Sequence, residues 1–145
     1  MANRLNIEEI KQIIPHRSPM LLIDKVLDME KEKNITAQYF VNPEHEVFKG
    51  HFPKAPVFPG VYTVEVMAQT SDVLILSSER YAGKAPLFIG IDKVKFLRKI
   101  NPGDTLEIHS KMVSERREKS IVTCFAEVFV NDELSAVGEV TLAMR

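Results

Sequence analysis

The sequence has no tryptophan and a single cysteine, Cys124, so no disulfide can close within the chain. No secretory leader pattern opens it, and a reducing cytoplasm is the expected setting. Neither sign of charge dominates: 19 lysines and arginines stand against 20 acids, for a net charge of -1. A nucleic-acid binder would need a basic stripe, so none is expected as a partner. Apolar runs fall well short of the roughly 18 residues of a membrane span, which argues against membrane insertion. Internal repeats and low-complexity tracts are missing too. With 45% apolar and 27% charged residues the composition lies far from disorder, and 145 residues suit one domain with a single core.

In chain order, Asn6 and Glu9 have capping-box spacing and open a short helix over 6–14, with Ile7, Ile10, Ile13 and Ile14 as its apolar stripe. Pro15 ends it. Residues 20–29 read as a largely buried strand and 31–34 as a charged turn. Ile35, Ala37, Tyr39 and Val41 then alternate with other residues as a second, antiparallel strand. Residues 42–59 are irregular. From 60 to 80 the chain has no proline and no glycine beyond Gly60, which predicts a helix of about 20 residues and 30 Å. Apolar on nearly every side, that helix should be buried. After a loop at 81–86 the remainder is strand: 87–91 leading into 94–100, then 106–112, 121–130 and 134–144. Asn101-Pro102-Gly103-Asp104 has the chemistry of a type II turn, 115–119 is a charged turn, and Asn131-Asp132 suits a tight hairpin. One long apolar helix needs one large sheet to cover it. The expected fold class is therefore α+β, an antiparallel sheet wrapped around a central helix.

The most constrained stretch is Gly50 to Gln69. Pro53, Pro56 and Pro59 fall within seven residues, Gly50 and Gly60 flank them, and one histidine, His51, precedes one carboxylate, Glu65. Taken singly, His51 reads more readily as a structural histidine and Glu65 as a solvent-facing one. The apolar neighbours Val64, Val66, Met67 and Ala68 argue against the second reading, and together the two residues suit an acid/base pair. Imidazole ionises near working pH and makes His51 the candidate base. Glu65, among side chains that disfavour a charge, is the candidate acid or hydroxyl orienter. The gap between them does not decide whether they meet within one chain, since 14 residues span at most about 46 Å and can also close to contact. Of the other histidines, His16 is expected to pin the first loop together with Arg17, His45 lies in a polar loop, and His109 faces outward from a strand. The four lack metal-site spacing, and Cys124 is read as core. Phe58, Tyr62 and Met67 suit either a tunnel lining or plain packing. Lys95, Arg98 and Lys99 are either a solvated basic face or a docking patch for an acidic partner.

Six motifs in this order resemble the hot-dog fold, and within it the (3R)-hydroxyacyl-[acyl carrier protein] dehydratases of the FabZ type. They are Pro15-His16-Arg17-Ser18-Pro19-Met20, Gly50-His51-Phe52-Pro53, Pro56-Val57-Phe58-Pro59-Gly60, Glu65-Val66-Met67-Ala68-Gln69, Gly90-Ile91-Asp92-Lys93-Val94-Lys95-Phe96 and Pro102-Gly103-Asp104. The resemblance runs over nearly the whole chain. It implies dehydration of a 3-hydroxyacyl chain to the trans-2-enoyl product in fatty-acid elongation, with His51 and Glu65 catalytic. Glutamate at 65, where the isomerising sister enzymes usually have aspartate, favours the simple dehydratase. The Val57 carbonyl would fix the His51 ring, Gln69 would hold Glu65, and the helix start at Gly60 would receive the thioester carbonyl, with Phe58 and Tyr62 lining the substrate. No metal or organic cofactor is implied. The substrate would ride on the phosphopantetheine of acyl carrier protein, docked near Lys95, Arg98 and Lys99. The resemblance further implies a homodimer, often a trimer of dimers, in which the histidine of one subunit meets the glutamate of the other. Lys54-Ala55 and Thr70-Ser71-Asp72 depart from the usual pattern, and losing a glycine at 54 would restrict that backbone if it must adopt φ > 0. Alternative readings are a similar dehydratase of a specialised polyketide or lipid pathway, a hot-dog thioesterase, and a non-catalytic acyl-binding module.

Overall fold

The structure, a computed structural model, describes residues 4–145. Helix α1 (Ile7–Ile13) begins with the anticipated reciprocal cap. The Glu9 amide donates to Asn6 Oδ1 at 2.9 Å and the Asn6 amide to Glu9 Oε1 at 3.0 Å. Ile14 is already extended, as the residue before a proline must be. Strand β1 (Lys25–Glu30) starts five residues later than the sequence suggests. The reason lies in where the backbone of that stretch bonds: Met20 and Leu21 donate to the Arg17 carbonyl, and Leu22 donates to the Gln69 side chain. With those donors taken, Leu22 and Ile23 are core residues without being ladder residues.

Strand β2 (Asn34–Phe40) pairs with β1, and a one-turn helix α2 (Val47–Gly50) interrupts the irregular segment. The central helix α3 (Gly60–Leu76) has 17 residues, shorter than the predicted stretch to Arg80. The hydroxyls of Ser77 and Ser78 bond the carbonyls of Val73 and Ile75 at 2.6 and 3.0 Å, so two hydroxyls that compete for backbone acceptors close the last turn. Strand β3 (Pro86–Phe96) likewise stops short of Ile100. There the amides of Leu97 and Arg98 both turn onto the Ser135 carbonyl. Strands β4 (Thr105–Arg116), β5 (Ile121–Val130) and β6 (Glu133–Met144) complete the chain. Gly103 has the positive φ of 92° that a type II turn requires after Pro102. Asn131 and Asp132, at φ 50° and 64°, make the two-residue hairpin.

All six strands lie in one antiparallel sheet of order β1-β2-β4-β5-β6-β3. Bulges in β1, β3, β4 and β6 interrupt the ladders, a device that bends strands. The inner face carries Ile35, Ala37, Leu106, Ile108, Val122, Cys124, Val128, Val140 and Leu142, all fully buried against α3. Thirteen of the 17 residues of α3 are buried, so the helix is the core of the molecule rather than a layer on it. Buried Thr70 and Ser71 bond the carbonyls of Val66 and Met67 one turn back, and Ser71 also meets Ser110 on β4 at 2.7 Å. The two sheet edges differ. Leu5 bonds both ways with Val26 and covers part of β1, whereas β3 exposes Leu87, Ile89, Ile91 and Phe96 along an unpaired edge. No helix among the described residues is long and apolar enough to cross a membrane.

Candidate active site

His51 follows the last turn of α2, its amide donating to the Val47 carbonyl at 3.1 Å. The loop then turns through Phe52, whose φ is 54°, and closes with the Ala55 amide on the Phe52 carbonyl. The left-handed residue of this loop is thus Phe52 and not Lys54, so lysine at 54 meets no left-handed demand. The Phe58 amide donates to the Ile100 carbonyl, and its ring packs between Tyr39, Phe48 and Tyr62. That anchor fixes the loop against the sheet and sets the angle at which Pro59 enters α3.

Within the loop the His51 ring bends back so that Nδ1 lies 2.7 Å from the Val57 carbonyl oxygen. A carbonyl can only accept, so Nδ1 carries the hydrogen, and in the neutral ring Nε2 keeps its lone pair. The cleft that His51 faces has a volume of about 610 Å³ and is lined by Val57, Phe58, Gly60, Val61 and Thr63 on one side. The segment from Phe96 to Ile100 lines the other. No side chain caps the start of α3, whose first-turn N–H groups have no acceptor within the helix. Space is tight at Gly60: a Cβ would stand 2.9 Å from the far end of the Phe96 ring, which lies across the helix start.

Glu65 does not line this cleft. Its apolar sequence neighbours Val64, Val66, Met67 and Ala68 turn into the core, while its own side chain stays 24% exposed on the face covered by the loop after α1. Gln69, one turn on and fully buried, donates to Glu65 Oε2 at 2.8 Å and to the Met20 carbonyl at 2.6 Å. Its oxygen accepts from the Leu22 amide at 2.7 Å, so three bonds hold this amide in one orientation. His16 Nε2 stands 3.6 Å from the same Glu65 oxygen and 3.9 Å from Asp72 Oδ2. Burial pushes the His16 imidazole below its ordinary range, against the pull of Glu65 and with the push of Arg17. Burial, helped by the charge of Glu65, pushes the Asp72 carboxyl well above the carboxylate range.

The sequence-predicted residues therefore fall into two groups. Val57, Phe58 and Gly60 share the cleft with His51, as do Arg98 and Lys99, with Arg98 paired to Glu133. Gln69 belongs with Glu65 instead. Tyr62 packs edge-on to His45 and Phe58, outside the cleft lining, and Met67 is fully buried. Lys95 lies on β3 and is exposed. Arg17 pins its loop through the carbonyls of Lys11, Ile14 and His16. The sequence reading passed over the placement of His16 and Asp72 beside Glu65. The only signal was an aspartate in a helix expected to be buried, seven residues after Glu65 and hence on the same face.

A family model described as a FabA-like domain matches residues 14–139. The chain is similar to the 3-hydroxyacyl-[acyl-carrier-protein] dehydratase FabZ of Desulforamulus reducens, with 44% identity over 97% of each chain. It is 52% identical to the protein of the same name from Clostridium beijerinckii, over 75% of this chain and 78% of that one. Among solved structures, the dehydratase heterocomplex ApeI:P of Xenorhabdus doucetiae matches with a TM-score of 0.77 at 18% identity, covering 94% of this chain and 90% of that one. Zebra fish thioesterase superfamily member 2 matches with a TM-score of 0.67 at 18% identity, over 94% and 96%. At such identities these structures share the fold, an antiparallel sheet around a helix.

Proposed function

The chain belongs to the FabA-like family and within it to the FabZ dehydratases, and from that premise we propose how its own residues carry the reaction. It is a 3-hydroxyacyl-[acyl-carrier-protein] dehydratase, a hydro-lyase of fatty-acid elongation. His51 Nε2, left with its lone pair by the bond from Nδ1 to Val57, takes the C2 proton of the acyl chain. Glu65 gives its proton to the C3 hydroxyl, which leaves as water, and the C2–C3 double bond forms. The thioester oxygen rests on the first-turn N–H groups at Gly60, where the positive end of α3 meets the charge that develops as C2 loses its proton. This chemistry runs on two side chains and backbone donors, with no metal or organic cofactor.

The observation that carries the mechanism is the 2.7 Å contact of His51 Nδ1 with the Val57 carbonyl, since a ring held by an acceptor at Nδ1 can serve as base only at Nε2. Two features support a site shared between subunits. Glu65 lies outside the cleft of its own chain, and β3 offers a bare edge studded with exposed apolar side chains. An edge of that kind invites pairing with a second copy of itself. In the dimer we propose, the His51 cleft of one subunit faces the Glu65 of its partner, with a trimer of dimers as the larger assembly. Arg98 and Lys99 at the cleft, with Lys95 on the adjoining strand, are suited to an acidic carrier protein.

The test is enoyl absorbance during turnover of a 3-hydroxybutyryl thioester of acyl carrier protein, with His51→Ala and Glu65→Gln alongside. Loss of product in both variants supports the assignment. Full activity in either would remove that residue from the reaction, and release of free thiol by the wild type would indicate a thioesterase.

A further inference from the structure

We infer that Asp72 is a positioning residue for Glu65, reached through His16, and that the three side chains work as one proton-holding cluster behind the acid. The inference rests on Glu65 being that acid. Glu65 and Asp72 are two turns apart on one face of α3, and the loop after α1 lays His16 over both. One ring nitrogen, Nε2, stands 3.6 Å from Glu65 Oε2 and 3.9 Å from Asp72 Oδ2, so it can serve either carboxyl but not both at once.

Packing does not account for the aspartate. Asp72 is 2% exposed, and its helix neighbours Thr70 and Ser71 satisfy their hydroxyls on backbone carbonyls. Asp72 Oδ1 and His16 Nδ1 are instead buried without a hydrogen-bond partner among the described residues. A buried polar group in that state calls for an explanation, and a role in proton handling is one. The charged and titratable groups around Asp72 are Glu65 on its own helix, His16 and beyond it Arg17 from the loop, and the Cys124 thiol from β5. Cys124 is itself pushed up to about 11 by burial and remains a neutral thiol.

Two carboxyls beside one neighbour disfavour each other's charge, and Asp72 responds to the charge on Glu65. Burial and the charge of Glu65 both favour the protonated form of Asp72. A neutral Asp72 leaves the His16 N–H free to turn to Glu65 after Glu65 has protonated the leaving hydroxyl. It also keeps a second negative charge away from the acid until Asp72 itself ionises.

The test measures kcat and KM against pH for wild type, Asp72→Asn and Asp72→Ala on carrier-bound substrate. It also follows, by infrared difference spectroscopy, the C=O stretch of a protonated carboxyl during titration. The wild type should hold such a carboxyl above the ordinary carboxylate range, Asp72→Asn should lose it, and Glu65→Gln should move its midpoint downward by removing the neighbouring charge. Asp72→Asn, neutral at every pH, should shift the alkaline limb of kcat to higher pH, with a several-fold gain over wild type on that limb and KM unchanged. Superimposable pH profiles, or no protonated carboxyl near neutrality, would overturn the inference. Should neither Asp72 variant fold, the midpoint in Glu65→Gln decides alone. A Glu65→Gln enzyme that still turns over would sink the acid assignment, while the infrared coupling would still report on the cluster.

Discussion

Gln69 Nε2 lies 2.8 Å from Glu65 Oε2, and the same amide group binds the backbone of Met20 and Leu22. One buried side chain thus ties the carboxylate to the loop that covers it. This contact explains why β1 begins at Lys25: a side chain supplies the partners that a strand would have supplied.

Replacing Gln69 with Leu keeps the volume but strands the Leu22 amide in the core and takes the donor from the half-buried Met20 carbonyl. Each buried group left unbonded costs about 1–3 kcal/mol, and urea unfolding should show a loss of at least that size. Activity should fall together with stability, because Glu65 loses its fixed donor. Unchanged stability would mean that the loop holds itself.

At Gly60 the expected outcome is the reverse, damage to activity without damage to stability. Alanine is compatible with this first helical position, where the helix-interior preference over glycine is only partly felt. Its methyl would stand 2.9 Å from the Phe96 ring, which is exposed enough to swing away. Gly60→Ala should therefore melt within a few degrees of wild type, while kcat/KM falls because the methyl occupies the approach to the first-turn N–H groups. Full kcat/KM in Gly60→Ala would place the thioester elsewhere.

Asp72 also makes stability depend on pH. Burial raises its folded-state value above the unfolded one, so the folded protein binds this proton more tightly. That contribution is fully present below the ordinary carboxylate value and declines as pH rises toward the raised one. Asp72→Asn should flatten this decline in denaturation midpoints measured across that window. An identical slope in the variant would place the titration elsewhere.

The bare edge of β3 yields a further prediction. Ile89→Asp puts a charge on an exposed position of the unpaired strand, so the monomer should fold as before. Sedimentation should show dissociation, and dehydration should be lost with it. A fully associated, active variant would move the interface off β3.

Local features were legible in the sequence wherever neighbouring residues decide the conformation. The Asn6–Glu9 cap, the Pro102-Gly103 turn, the Asn131-Asp132 hairpin and the sheet wrapped around one apolar helix all follow from spacing and chirality. Features set by distant partners were not. The end of α3 depends on two serine hydroxyls, and the end of β3 depends on Ser135. The placement of His16 against Glu65 depends on a loop 49 residues from that glutamate in sequence. The apolar neighbours of Glu65 pointed to an apolar pocket, yet helix geometry sends them inward and leaves the carboxylate on a polar face.

The most direct test of the shared site mixes two inactive proteins. His51→Ala and Glu65→Gln are each prepared, combined, exchanged through mild dissociation and assayed by enoyl absorbance. A mixed dimer then has one site with both lesions and one with both native residues, so random exchange should restore about a quarter of wild-type activity. If His51 and Glu65 instead act within a single chain, every site carries a lesion, and the mixture should stay as inactive as its components.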